Sequence, residues 1–381
     1  MPMETTPVTF NEMLTPSGLK IGHCRLTKVR ALNALDMQMV TLLTKQLKKW
    51  QQDDAIVMVL LDGDGDRGFC AGGDVVSMFH AMKQAQSESS TASQSEFTLE
   101  AFFSLEYELD HLIHTYTKPV VVWGNGIVMG GGLGLMCGAS HRIVTSSSRI
   151  AMPEITIGLY PDVGASYFLN KMPDGCGLFL GLTAANINAA DALYTGLADY
   201  FVTDDLKLEF FEKLLSNHWQ TVSAHKTLDN ICKTFQNRSV KHLPESHLKP
   251  YQNWLHELSD LPTLEAVVNA IKGKASEHDP WLIKGQKALS NGSAVAAHIV
   301  FEQLRRGKNM SLAECLRMEL GLSCKSGEFG EFQEGVRALL VDKDGKPNWK
   351  YKTVEEVPES VVKYFFEAIW SAESHPLQHL R

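Results

Sequence analysis

Pro119-Val120-Val121-Val122-Trp123-Gly124-Asn125-Gly126-Ile127-Val128-Met129-Gly130-Gly131-Gly132-Leu133-Gly134 is the stretch that decides the fold. An apolar run of strand length that opens into glycines fits a strand buried on both faces, ending in a tight turn before a helix. The same order occurs upstream. Ala55-Ile56-Val57-Met58-Val59-Leu60-Leu61 runs into Asp62-Gly63-Asp64-Gly65-Asp66 and Phe69-Cys70-Ala71-Gly72-Gly73-Asp74, with a helical piece through Phe79 and Met82. Strand, glycine turn and helix in series, at 56–74 and again at 119–138, predict an α/β protein.

Outward from these two units the pattern continues. Gly18 to Leu26 alternates as a strand does. Leu35, Met39, Leu43, Leu47 and Trp50 recur at helical spacing behind Asp36, which predicts an amphipathic helix. Lys83 to Glu96 is rich in Gln, Ser, Thr, Ala and Glu and reads as a solvated loop. A helix is expected from about Phe97 to Tyr116, another at Ala165 to Leu169, and a helix and strand between Leu182 and Val202. Beyond Thr203 the pattern is helical, as in Leu206 to Leu215 and Ser311 to Leu320. At 381 residues the chain exceeds the roughly 250–300 that one core organises, so two parts are expected: a core at 1–205 and a mostly helical region at 206–381.

After the glycines come two carboxylates, in Ala151-Met152-Pro153-Glu154 and Tyr160-Pro161-Asp162-Val163-Gly164, each directly following a proline whose fixed φ limits where the acid can point. Glu154 ends an apolar run, where a charge is costly unless it is partnered or used, and a buried salt bridge is one reading. Asp162 could cap the helix that follows. The glycine run is neither GxGxxG nor a P-loop. It permits close helix packing without a ligand, or approach of a substrate to main-chain N–H groups. Two such donors, Gly73 and Gly131, would form an oxyanion hole for an acyl carbonyl.

With 44% apolar residues, 21% charged and a net charge of −8, the chain has an ordinary globular composition and no basic footprint, which argues against a nucleic-acid partner. No apolar run reaches the ~18 residues of a membrane span. Seven scattered cysteines without a CxxC pair argue for free thiols and against a zinc knuckle. Met1-Pro2-Met3-Glu4-Thr5-Thr6 does not read as a leader and Leu380-Arg381 is no peroxisomal signal, so a cytoplasmic location is expected.

At these residues the chain resembles the crotonase (enoyl-CoA hydratase/isomerase) superfamily. Phe69 to Asp74 is similar to that family's first oxyanion loop, and Asn125 to Gly132 to its second. The run from Ala151 to Gly164 is similar to the signature of its thioester-hydrolysing branch. The likeness continues through Leu182-Thr183 and Gly196 and resumes at Phe332 to Ala338 and Asp342-Lys343-Asp344. It implies a spiral of strand-strand-helix units and hydrolysis of a short, branched 3-hydroxyacyl-CoA thioester, 3-hydroxyisobutyryl-CoA above all, as in valine catabolism. It implies Glu154 and Asp162 as catalytic acids and the Gly73 and Gly131 amides as the oxyanion hole. Glu106, Ala71 and Asp74 then line the substrate pocket, Arg30, Ala31 and Leu32 help to hold the CoA nucleotide, and Lys343 reaches a CoA phosphate. No metal or cofactor is implied, coenzyme A arriving as part of the substrate, and a homo-oligomer, trimer or hexamer, is expected by analogy. Two departures stand out. Hydratases of the superfamily carry a glutamate where this chain has Gly134, and Leu26-Thr27-Lys28-Val29 precedes Arg30 in place of the family's Asn-Arg-Pro. An enoyl-CoA hydratase or isomerase, and a non-catalytic acyl-CoA-binding protein, are the rival expectations.

Overall fold

The structure is a computed structural model that describes residues 6–87 and 98–381. Its larger sheet holds six strands: β1 (Val8–Leu14), β2 (Lys20–Leu26), β3 (Ile56–Gly63), β5 (Val120–Gly124), β7 (His141–Val144) and β9 (Tyr200–Phe201), in that spatial order. Only the β1–β2 pair is antiparallel. All eight residues of β3 are buried, as expected for a parallel strand covered on both faces. β1 is missing from the sequence reading, because its exposed polar positions hide the alternation. This edge strand is pinned through Glu12, which accepts from the Trp50 indole and from Lys20.

A second sheet of three short strands, β4 (Gly68–Cys70), β6 (Ile127–Met129) and β8 (Arg149–Ala151), positions the chemistry. Each repeat gives one long strand to the first sheet and one short strand to the second before its helix. The helices are α2 (Val75–Ser87) after β4 and α4 (Gly131–Gly138) after β6. β4 and β6 pair in parallel, with Gly68 opposite Ile127 and Cys70 opposite Val128, so the two glycine turns leave the sheet side by side. This is the expected strand-strand-helix spiral. α1 (Met37–Gln52) begins where Asp36 accepts from the Met39 amide, and α3 runs over Leu99–His114. The loop expected from Lys83 starts later, since α2 continues through Ser87, and the rest of that stretch lies outside the described residues.

Packing divides the chain into two units. One comprises residues up to Gly73 with Leu109–Ile150 and Ile187–Pro250, and the other Asp74–Glu108, Ala151–Asn186 and Tyr251–Arg381. Among the described residues no strand follows Phe201, so the C-terminal half is helical as expected. Its first stretch belongs with the sheet. Phe210, Leu214, Trp219, Leu228 and Phe235 are buried together with Ile21, Val57, Val121, Trp123 and Ile143. The helices from Tyr251 onward build the second unit.

Candidate active site

The glycine edge lies in the first unit. A Cβ added to Gly72, where φ is +102°, would lie 3.1 Å from the Met129 carbonyl oxygen and 3.5 Å from the Gly131 nitrogen, and one added to Gly132 would lie 2.3 Å from the Cys70 carbonyl oxygen. Only glycine allows main chain to meet main chain this closely. The 70–73 turn is fixed on its other side by Ala71 N–H donating to the Leu32 carbonyl and Leu35 N–H to the Gly72 carbonyl. Gly131 is the first residue of α4, whose opening amides have no intrahelical acceptor. Among the described residues neither the Gly73 nor the Gly131 N–H has a hydrogen-bond acceptor. The structure therefore gathers Ala71, Gly73 and Gly131 with the turn bearing Arg30, Ala31 and Leu32. Asn33 staples that turn through its side-chain NH2, which reaches the carbonyls of Asp64, Gly68 and Phe69.

The acids gather in the second unit. Glu154 opens the turn Glu154–Ile157, Asp162 follows Pro161, and Glu106 comes from α3. They are 5%, 4% and 2% exposed, respectively. One carboxyl oxygen of Glu154, Oε2, and one of Glu106, Oε1, are buried without a hydrogen-bond partner. No basic side chain pairs with any of the three among the described residues, so the salt-bridge reading of Glu154 fails. Burial, then the charge of Asp162, raises the Glu106 carboxyl well above the ordinary range. Burial, Asp162 and Glu106 do the same to Glu154, and burial lifts Asp162 to about 6 against the pull of a Tyr107 hydrogen bond. Asp62, in the first unit, shows the opposite case. Burial alone would raise it too, yet His23, Lys207 and Arg25 outweigh that and hold it at about 2.

Asp162 is not a helix cap. Gly164 is the N-cap of the short helix Ala165–Phe168 and offers no side chain, and the capping acceptor comes from far away in sequence. Glu319, fully buried in the helix Leu312–Phe329, accepts from Gly164 N–H at 2.7 Å and Ser166 N–H at 2.8 Å. That clamp holds a strained turn, since Val163, a β-branched residue, has φ +52°. Asp162 Oδ2 instead accepts from the Tyr107 hydroxyl at 2.8 Å. The sequence reading assigns no role to Tyr107, Tyr160, Ser323 or Glu319, although Tyr160 stands in the acid motif and Glu319 in the helical stretch Ser311 to Leu320. The usable signal was that Glu319 stands four residues from Cys315 and three from Leu316, on the apolar face of its helix.

The remaining expected residues sit apart from this cluster in role. Asp74 accepts from the Ser77 amide at the start of α2. Lys343 is exposed with φ +57°, between Asp342 and Asp344, both of which accept from Arg337 at 2.7 Å.

Four acids with raised pKa values carry a consequence for stability. A carboxyl whose folded value exceeds its unfolded one stabilises the fold fully below the unfolded pKa and loses that contribution as pH rises through the folded one. Asp162, moving from 3.8 to about 6, is worth about 3 kcal/mol on this count, and Glu319, lifted to about 8 chiefly by burial, extends the loss upward. The melting temperature should fall between pH 5 and 8.5, and should fall less in Asp162→Asn. A melting temperature that rises over this window contradicts the raised carboxyls.

Known proteins resemble this chain over nearly its whole length. The enoyl-CoA hydratase/isomerase family model matches residues 21–366. The chain is 34% identical to the mitochondrial 3-hydroxyisobutyryl-CoA hydrolase of Danio rerio, over 94% of this chain and 90% of that protein. It is 33% identical to 3-hydroxyisobutyryl-CoA hydrolase 1 of Arabidopsis thaliana, over 94% and 92%. Among solved structures, a carnitinyl-CoA dehydratase from Mycobacterium thermoresistibile superposes with a TM-score of 0.81 at 32% identity, covering 96% of this chain and 97% of that one. With two runs of strand, strand, glycine turn and helix and a match over nearly its whole length, the chain belongs to the enoyl-CoA hydratase/isomerase family.

Proposed function

We propose that this protein hydrolyses a short, branched 3-hydroxyacyl-CoA thioester, 3-hydroxyisobutyryl-CoA first, to the free hydroxy acid and CoA. The observation that carries this reading is the buried Glu154 oxygen without a partner, in a group of acids that no cation among the described residues neutralises. A structural acid in such a place would be paired. An unshared carboxylate oxygen is what attack on a carbonyl, or removal of a proton from water, requires.

In the reaction, one oxygen of water ends on the acyl carbon, the carbon–sulfur bond breaks, and the CoA sulfur leaves with a proton. Glu154 either attacks the carbonyl, giving a mixed anhydride that water opens, or takes a proton from the attacking water. Negative charge grows on the carbonyl oxygen in both cases. The Gly73 and Gly131 amides are the proposed donors to it, each worth about 3–4 kcal/mol in the transition state. Asp162 orients the substrate's 3-hydroxyl or supplies the second proton, and Glu106 lines the pocket. Burial, and then repulsion among the acids, keeps one or more of them protonated near neutrality, as an acid-base pair needs.

The carnitinyl-CoA dehydratase neighbour favours a rival reading, addition or loss of water at a double bond. That chemistry needs a proton donor and a base on adjacent carbons, and Gly134, buried in the first turn of α4, offers no side chain at the position where the superfamily's hydratases carry a glutamate. Thiol release from 3-hydroxyisobutyryl-, 3-hydroxypropionyl- and isobutyryl-CoA tests the proposal. The two hydroxylated thioesters should be cleaved with higher kcat/KM than isobutyryl-CoA, and failure to release thiol from any of them sinks it.

Assembly as a trimer or hexamer also stays a proposal, checked by a light-scattering mass. So does the cytoplasmic location, because the zebrafish relative is named as mitochondrial, and fractionation of the source cell decides it.

A further inference from the structure

Four short oxygen–oxygen contacts link Asp162 to groups of its own, second unit. Asp162 Oδ2 lies 2.8 Å from the Tyr107 hydroxyl, and that hydroxyl lies 2.8 Å from Ser323 Oγ. Ser323 Oγ lies 2.7 Å from the Tyr160 hydroxyl, which donates to the Glu319 main-chain carbonyl at 2.5 Å. Tyr107, Tyr160, Ser323 and Glu319 are fully buried. At such separations two oxygens attract only with a proton between them.

Counting protons exposes a shortage. Each of the three hydroxyls brings one, and the carbonyl brings none. With Asp162 ionised, Tyr107 donates to it and Tyr160 donates to the carbonyl. Ser323 then has a single proton for the two contacts it makes, and one gap holds lone pair against lone pair. With Asp162 protonated, the Tyr107–Asp162 bond reverses and all four gaps are filled in one direction: Asp162 to Tyr107, Tyr107 to Ser323, Ser323 to Tyr160, and Tyr160 to the carbonyl. Ionising a tyrosine would deepen the shortage by taking away one more proton, and burial with the neighbouring carboxyls in any case pushes both phenols well above their ordinary value.

We propose that Tyr107, Ser323 and Tyr160 form a one-way hydrogen-bond chain, complete only when Asp162 carries a proton, and that they are positioning residues which keep Asp162 as the acid of the site. Glu154 is raised by burial and then by the Asp162 charge. A proton held on Asp162 by the chain removes that second cause and leaves Glu154 as the base or nucleophile, while the proton that leaves with the CoA sulfur is the one on Asp162. This division of labour rests on the hydrolase reading, whereas the proton count does not. The chain acts alongside the other groups around Asp162, which are Glu106 and Tyr107 on α3, Glu154 on its turn, Tyr160, and Glu319 on the helix Leu312–Phe329. All of these are acids or phenols, and each opposes a charge on Asp162 unless it donates a hydrogen bond to it.

The count gives a sign that simple loss of polar contacts does not. In Ser323→Ala, two contacts remain and two protons fill them with Asp162 ionised. In Tyr160→Phe, Ser323 donates to Tyr107 and Tyr107 to Asp162, again without a shortage. Both variants should therefore lower the pKa of Asp162, by about one pH unit, the equivalent of one net hydrogen bond. Removing polar neighbours from a buried carboxyl should otherwise raise it.

The experiment is a carbon-13 titration of the full chain labelled at the aspartate side-chain carboxyl, with the Asp162 signal assigned by its loss in Asp162→Asn. A midpoint that moves down in both variants supports the chain. A midpoint that stays put or moves up in both overturns it, as does a downward move in only one. The basic limb of the thioester-cleavage profile should move to lower pH in the same two variants. If the midpoint moves as expected and no acyl-CoA releases thiol, the chain stands and the hydrolase reading falls. If thiol is released and the midpoint is unmoved, the reverse holds.

Discussion

Glu154→Gln is expected to lower the kcat of thioester cleavage by roughly 10²–10⁴-fold, the range typical for loss of a positioned acid or base, with KM little changed. Glutamine keeps the shape and removes both the charge and the nucleophilic oxygen. The same substitution should leave the protein as stable as before or more so, since Glu154 sits unpaired beside Asp162 and Glu106, and its charge is opposed by burial and by both neighbours. Inactivation together with a steady or raised melting temperature is the mark of a residue kept for chemistry rather than for the fold. A full-speed Glu154→Gln enzyme removes Glu154 from the mechanism. A melting temperature that drops by many degrees shows a structural role.

Glu319→Ala should have the largest effect on stability. Its carboxylate accepts both the Gly164 and the Ser166 amides, and its loss leaves two buried donors unsatisfied at about 1–3 kcal/mol each, besides a cavity. The turn it clamps contains Val163 at φ +52°, which has little reason to persist without the clamp, and Asp162 is its neighbour in sequence. Denaturant unfolding should register a loss of about 3–5 kcal/mol, and the remaining folded protein should show a reduced kcat. Glu319→Gln, which still offers one acceptor oxygen, should fall between the two. Equal stability of wild type and Glu319→Ala contradicts the clamp.

How much of this was readable in sequence depends on distance along the chain. The strand-glycine-helix repeats are local, so Ile56–Gly63 and Val120–Gly124, the glycine turns after them and the amphipathic helix behind Asp36 follow from spacing alone. Glu154 and Asp162 stood out because a charge after Pro153 or Pro161 interrupts an apolar run. What supports them did not stand out. Ser323 is 216 residues from Tyr107, and Glu319 is 155 residues from the Gly164 amide it accepts from. Glu319 reads as one more polar residue of a helix until the heptad spacing with Leu312 is noticed, and Tyr107 as one more aromatic in α3. β1 escaped for a related reason. An edge strand with a single neighbour shows too little burial to leave a clean alternation. Packing also shares the C-terminal helices between the two units, which composition could not foresee.

The most direct test of the whole reading follows free thiol and enoyl absorbance together while the purified protein acts on 3-hydroxyisobutyryl-CoA and, separately, on crotonyl-CoA. Thiol appearing from the hydroxylated thioester, with the crotonyl chromophore losing no double bond to hydration, is the predicted result. Hydration of crotonyl-CoA without thiol release from either substrate contradicts it and returns the chain to the hydratases of its family.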